Sequence, residues 1–311
     1  MALELLCRIA TTFAPGGGFD EDAFRQHLQR FVDARLGVYL ASGGSGESHA
    51  MSAAELRSVY RAGVAALKGK VPVYANPPEQ HTVEATLEQT LLAIECGVEV
   101  VNIYGPEGRH GYKPTDEEYL AYHDTLLPQV SDPVALAPNP ILGYSPKPHL
   151  VARLCNRYTQ IVAVNLALQT DDYLVPLLDG LTRPVQVYVP VSGSLNSLAL
   201  GATGLLGAEA NILPRTHRRY IDCHLANDTA GLGQAYAELK RFNHFVAGWG
   251  VSPRWLKAAM RVLGLPGGVG GPRPPFLPLA GAEMERFRQG LLALDIQEIA
   301  DQAGAAMGDA A

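Results

Sequence analysis

At 311 residues, 47% hydrophobic and 18% charged, the chain has the composition of a globular protein able to bury a substantial core. Its net charge of −6 argues against nucleic acid or an anionic membrane as a partner, since both need clustered Lys and Arg. The opening MALELLCRIATTF carries Glu4 early and lacks both a basic stretch and a small-residue cleavage site, so a cytoplasmic location is expected. Cys7, Cys96, Cys155 and Cys223 lie far apart with no C-x-x-C pair, and read as buried thiols rather than a zinc or redox motif.

Eight short apolar runs recur along the chain, at 5–13, 38–42, 71–76, 98–104, 133–139, 161–168, 185–189 and 204–211. They are continuously apolar rather than alternating, as expected of parallel strands buried on both faces. Between them lie segments of helical period. Asp20 precedes the first, in which Phe24, Leu28, Phe31 and Val32 share a face and Gly37 is placed to cap the end. Ser52-Ala53-Ala54-Glu55 and Thr115-Asp116-Glu117-Glu118 fit the capping box, in which hydroxyl and carboxylate satisfy orphan backbone N–H groups reciprocally.

This alternation, sustained to about residue 225, predicts an α/β fold, a (β/α)8 TIM barrel over 1–225, because doubly wound sheets usually stop at fewer strands. Beyond it, 229–249, 252–264 and 280–302 read as helices, with a Gly- and Pro-rich linker at 266–279. A helical appendage over 226–303 and a frayed tail at 304–311 are therefore expected.

In such a barrel the loop after each strand opens on the catalytic face, which puts GGSGES (43–48) at the ligand end of strand 2. Its glycines let backbone N–H groups converge, and Ser45 and Ser48 add hydroxyls, a nest suited to a carboxylate or phosphate. The loop lacks the Lys of a P-loop and the flanks of a dinucleotide fingerprint, so no nucleotide is expected. A purely structural Gly-rich turn is the alternative.

The loop resembles the G-T-T-G-E motif of the dihydrodipicolinate synthase and N-acetylneuraminate lyase family: Gly43, Ser45, Gly46 and Glu47 match, and Gly44 stands at the first Thr. TTF at 11–13, GATGLLGAEANILPR at 201–215 and RPPFLPL at 273–279 resemble further segments of the family, colinear over about residues 5–300. The resemblance implies a barrel with a three-helix C-terminal domain, commonly a homo-tetramer, whose loop holds the carboxylate of pyruvate or another 2-oxo acid. It implies no cofactor.

The family forms a Schiff base through a lysine on strand 6. In IVAVNLAL that position falls on Asn165, and an amide cannot form an imine. The lysines are Lys68, Lys70, Lys113, Lys147, Lys240 and Lys257; none lies on a predicted strand, and only Lys113 and Lys147 fall in ligand-end loops. The family's proton-relaying Tyr of strand 5 falls on Ala137, its loop Arg on Leu142, and VYVPVSGS lacks the usual G-D-D.

The strand ends, taken in order, supply Thr11, Thr12, Ser42, Ser45, Asn76, Tyr104, Asn139, Asn165, Ser192 and Glu209, a polar and nearly uncharged set. Left unpaired in its apolar strand, the Asn165 amide would cost roughly 1–3 kcal/mol, so it requires neighbours or a ligand. Glu209, the lone carboxylate, reads as a general acid or base, with pairing to Arg215 as the structural alternative. In YGPEGRHGYKP, Tyr112 matches a residue that in relatives reaches a neighbouring subunit, and Arg109, His110 and Lys113 offer positive charge, as does Lys147. With only His49, Glu107 and His110 near in loop terms, no metal site is expected.

Together these readings predict a lyase-like enzyme that holds a small 2-oxo acid or other carboxylate through Gly43, Gly44, Ser45, Gly46, Asn139 and Ser192. Ser45, Tyr104 and Asn165 would serve as neutral donors and Glu209 would move the proton, without an imine. A non-catalytic binding or regulatory protein on the same scaffold remains open, as does an aldolase that recruits Lys147 or Lys113.

Overall fold

The computed structural model describes residues 3–308. Strand and helix alternate as β1 (Glu4–Arg8), α1 (Glu21–Ala34), β2 (Gly37–Leu40), α2 (Ala53–Leu67), β3 (Val73–Ala75), α3 (Val83–Glu95), β4 (Val100–Tyr104) and α4 (Asp116–Leu126). They continue as β5 (Val134–Ala137), α5 (Pro148–Arg157), β6 (Ile161–Asn165), α6 (Asp171–Gly180), β7 (Gln186–Pro190), α7 (Ser194–Ala199), β8 (Gly204–Gly207) and α8 (Pro214–Leu225). The eight strands close in chain order into the expected TIM barrel. Four further helices follow: α9 (Thr229–Ala247), α10 (Ser252–Val262), α11 (Gly281–Leu292) and α12 (Gln297–Gly308). None of the described helices is long and apolar enough to cross a membrane.

Several boundaries differ from the sequence reading for identifiable reasons. The last strand ends at Gly207, and residues 209–211 instead form a 3-10 turn. The segment 280–302 is not one helix but two, broken at 293–296. The second of these runs on to Gly308, past the tail expected to fray from 304, because its QAGAAM stretch contains good helix formers; residues 309–311 lie outside those described. Helix α1 is closed not by Gly37, which opens β2, but by Arg35 in the left-handed region at φ 54°, where Leu36 N donates to Phe31 O at 3.0 Å. Asp20 caps its start, and both capping boxes are formed.

By its contacts the chain forms two compact units. The first comprises Met1–Leu6 and Val73–Leu206. Its strands are parallel and in register through Asn102↔Ala135, Ile103↔Leu136 and Tyr104↔Ala137, and Asn165 pairs with Tyr188 on β7. Side chains on both faces of β4 and β5 are buried, which is why these strands read as unbroken apolar runs.

The second unit comprises Cys7–Pro72 and Gly207–Ala311, and one amide ties it together. Asn211 Nδ2 donates to Arg8 O at 3.0 Å and to Ala208 O at 2.7 Å, while its Oδ1 accepts from Ala10 N at 2.9 Å. His27 Nε2 on α1 lies 2.9 Å from the same oxygen. Burial, with Arg30 beside it, pushes the His27 pKa down to about 3, so the ring is neutral and Nε2 carries the proton it donates. Arg30 Nη1 then donates to Asn211 O at 2.6 Å.

Asn211→Ala takes the acceptor from the Ala10 N–H and from His27 Nε2 and a donor from Arg8 O in a dry interior, while Ala208 O keeps the backbone N–H of residue 211 at 3.1 Å. We expect a loss of about 3 kcal/mol of stability, read by chemical denaturation; a loss within experimental error would contradict this account of the seam.

Candidate functional site

The loop after β2 is set by three neighbours. Thr11, just past β1, donates its hydroxyl to Gly46 O at 2.7 Å. Gly46 N donates to Ser42 Oγ at 3.1 Å, folding the loop over the strand end. A side chain at residue 46 would bring its Cβ to 2.5 Å from Ser42 N, so only glycine permits this approach. The third neighbour is the first turn of α10: Ser45 Oγ donates to Ser252 Oγ at 3.3 Å, and the Gly44 backbone lies close against the same hydroxyl. Ser45 and Gly46 are buried, Gly43 is half-buried and Gly44 is exposed. Among the described residues, no hydrogen bond engages the amides of Gly44 and Ser45.

Glu47 anchors the far side of the loop. Its backbone is left-handed at φ 56°, its side chain is fully buried, and Oε2 accepts from Arg273 N at 2.7 Å. Oε1 has no hydrogen-bond partner and lies 3.7 Å from Lys257 Nζ, an ion pair too long for a hydrogen bond. Lys257 Nζ donates to Thr11 O and lies 4.8 Å from the Phe13 ring centre. The Arg273 guanidinium, 4.1 Å from the same ring centre, donates to Gly17 O, to Ala50 O at 2.9 Å and to Glu55. Burial pushes the Glu47 carboxyl up and the Lys257 ammonium down to about 8.

Lys257 escaped the sequence reading, which looked for lysines on strands and in ligand-end loops. The signal was its place on the face of α10 shared with Pro253, Leu256 and Met260, where a lysine can only be buried.

The other named residues are held locally. Asn165 is buried, and its Oδ1 accepts from Ala167 N at 3.2 Å, closing a turn just past β6. Asn139 Oδ1 does the same for Ile141 N at 3.1 Å after β5. Asn76 Oδ1 accepts from Asn102 Nδ2 at 2.8 Å. Tyr104 packs with Ala137 and Leu142, and against these lies Tyr144, a residue absent from the sequence reading. Ser192 is exposed in a 3-10 turn after β7.

Two of the cations proposed from loops are engaged elsewhere: Lys147 pairs with Asp116 at 2.7 Å and Arg109 with Glu107 at 2.7 Å. Tyr112 packs edge-on against His81. Glu209 is half-buried at the start of its 3-10 turn. Its expected partner Arg215 turns instead to Asp301, at 2.8 Å, and Glu298, at 3.5 Å, because α12 brings both carboxylates to the start of α8.

The Arg273–Glu55 contact sets a pH dependence. The hydrogen bond from Arg273 holds the Glu55 carboxyl at about 2, below its ordinary 4.5. Between those values the unfolded chain binds more protons than the folded one, so this contribution is full above 4.5 and is lost as pH falls towards 2. Arg273→Ala should flatten the fall of Tm between about pH 5 and about pH 2.5. Equal slopes for variant and wild type would refute this assignment.

A model of the Dihydrodipicolinate synthetase family matches residues 1–294. The 4-hydroxy-tetrahydrodipicolinate synthase of Xanthomonas axonopodis pv. citri (strain 306) is 28% identical over 282 residues, covering 89% of this chain and 90% of that protein. An uncharacterized DapA-like lyase of Rhizobium meliloti is 26% identical over 298 residues, 94% of this chain and 95% of its own. In fold, the chain is similar to a dihydrodipicolinate synthase of Bacillus anthracis, with a TM-score of 0.85 at 22% identity over 95% of this chain and 100% of that one. Since the match runs from β1 through all eight strands and on through α11, the chain belongs to the dihydrodipicolinate synthetase family.

Proposed function

We propose that this lyase-family protein is a cytoplasmic homo-oligomer that binds a small 2-oxo acid or related carboxylate in the Gly43–Glu47 loop and works without a Schiff base. The observation that carries the reading is the end of β6. The strand is Ile-Val-Ala-Val-Asn, and we take Asn165 to stand where the family's lysine would. Its side chain is buried and committed to the Ala167 amide, and it offers no amine. The lysines in the loops after β4 and β5 are both exposed, Lys113 and Lys147 alike, and Lys147 is paired with Asp116.

The loop's unengaged amides, those of Gly44 and Ser45 among them, support carboxylate binding. In this reading Ser45, Tyr104 and Asn165 polarise the bound acid, Asn139 and Ser192 contact it, and Glu209 moves the proton. Enolisation, hydration or decarboxylation of an activated acid suits neutral donors better than aldol cleavage does, because no electron sink is required beyond the stabilised oxyanion. A second reading, a binding protein that has kept the scaffold and lost the chemistry, draws support from the local bonds that already occupy Asn165 and Ser45.

Two experiments test these readings. Incubation with pyruvate and borohydride, followed by intact-mass measurement beside a lysine-dependent relative, should leave this chain unlabelled while the control is trapped. A stoichiometric adduct mapped to one lysine would overturn the non-imine mechanism. Glu209→Gln should abolish turnover of any 2-oxo acid the protein transforms while leaving binding within about threefold. Unchanged turnover removes Glu209 from the mechanism, and binding without turnover in wild type favours the non-catalytic reading.

A further inference from the structure

Among the described residues, the buried pair Lys257–Glu47 is the one place where an ammonium and a carboxylate are both taken almost wholly out of water, at 2% and 0% exposure. Such a pair is a poor device for stability, because desolvating two charges offsets most of their attraction. It is a good device for fixing geometry, since each charge accepts few alternative arrangements. The geometry fixed here is that of the loop. Lys257 holds the carbonyl of Thr11, and the hydroxyl of Thr11 holds the carbonyl of Gly46. Lys257 also faces Glu47, a non-glycine residue in the left-handed region, which a side chain does not adopt without cost. The two arms meet at adjacent residues, 46 and 47, directly after the amides of Gly44 and Ser45.

We propose that Lys257 is a positioning residue for the Gly43–Glu47 loop: through Thr11 and Glu47 its ammonium holds the left-handed turn, and with it the two amides that receive a carboxylate. The assignment of a carboxylate to those amides rests on the function proposed above; the positioning of the loop does not.

The charged groups that face the pair are Arg273, from the segment after α10, His49, in the loop itself, and His27 on α1. Arg273 is held on Glu55 and on backbone carbonyls, and His27 is kept neutral by burial. Lys257 is therefore the member of this group that discharges on the alkaline side, at about pH 8. Its neutral fraction rises about tenfold between pH 7 and about pH 9.5, and the loop loosens with it.

Amide hydrogen exchange of the full chain, followed by mass spectrometry of peptides spanning 42–51 and corrected for the intrinsic rate, reads the loop without any ligand. Wild type should lose up to about tenfold of its protection there between pH 7 and about pH 9.5, while peptides around Asn211 keep theirs. Lys257→Met should lose about tenfold already at pH 7 and show no further pH dependence. Lys257→Arg keeps the charge at all these pH values and should retain protection throughout. Calorimetric titration with pyruvate should follow the same pattern.

A flat wild-type profile, or Lys257→Met behaving as wild type, overturns the proposal, and the wild-type profile stands even if a variant fails to fold. If pyruvate does not bind at any pH while the exchange pattern holds, the carboxylate reading fails and the positioning role stands.

Discussion

A closed barrel has no free edge, so the ends of its first and last strands must be satisfied where they meet, in a region water does not reach. In this chain one carboxamide meets that demand. Asn211 supplies two donors and one acceptor to backbone groups of residues 8, 10 and 208, and its geometry depends on a histidine kept neutral and on an arginine bonded to its own carbonyl. A hydroxyl is too short to reach in three directions, and a carboxylate has no hydrogen to give to the two carbonyls. The chain beyond β1, which carries Thr11, Thr12 and Phe13, is thereby held where the loop after β2 can be built upon it.

That loop shows how a segment rich in glycine is made rigid. Its three glycines lower the cost of unusual backbone shapes, but on their own they would leave it floppy. Rigidity is added from outside, by α10 and by the segment after it. Ser252 meets Ser45, Lys257 meets Thr11 and Glu47, and Arg273 reaches Glu47, Ala50 and Glu55 while covering the Phe13 ring. The helices that follow the barrel in sequence are therefore not an ornament, because side chains from α10 and beyond determine the shape of a loop some two hundred positions earlier.

Much of this was legible in the order of the residues. Continuous apolar runs marked all eight strands because both faces are buried, and Ser52, Thr115 and Asp20 marked helix starts because a cap needs a short acceptor at one position. Strand ends were less legible. The run at 161–168 continues past Asn165 without a loss of hydrophobicity, yet Asn165, like Asn139 after β5, turns the chain by bonding to an amide two residues on. The loop after β2 is recognisable in the sequence, but the groups that hold it are not, since Lys257 and Arg273 lie far away along the chain and even the place of Lys257 on the apolar face of α10 does not say what it meets. Arg215, the structural alternative as a partner for Glu209, is held instead by Glu298 and Asp301 of α12, which no local pattern links to residue 215.

Helix α12 begins three residues past the end of the stretch that matches the family. Its Glu298 is nonetheless buried, accepting the amides of Arg215 and Thr216 at 3.0 and 2.7 Å and the Thr216 hydroxyl at 2.8 Å, so the first turn of α8 is capped from outside its own segment. This bears on where the polypeptide tolerates shortening. A stop codon placed before residue 298 would uncover the amides at the head of α8, a few residues from the Asn211 seam. The last dozen helical residues, which lie beyond the family match, thus supply the cap of α8.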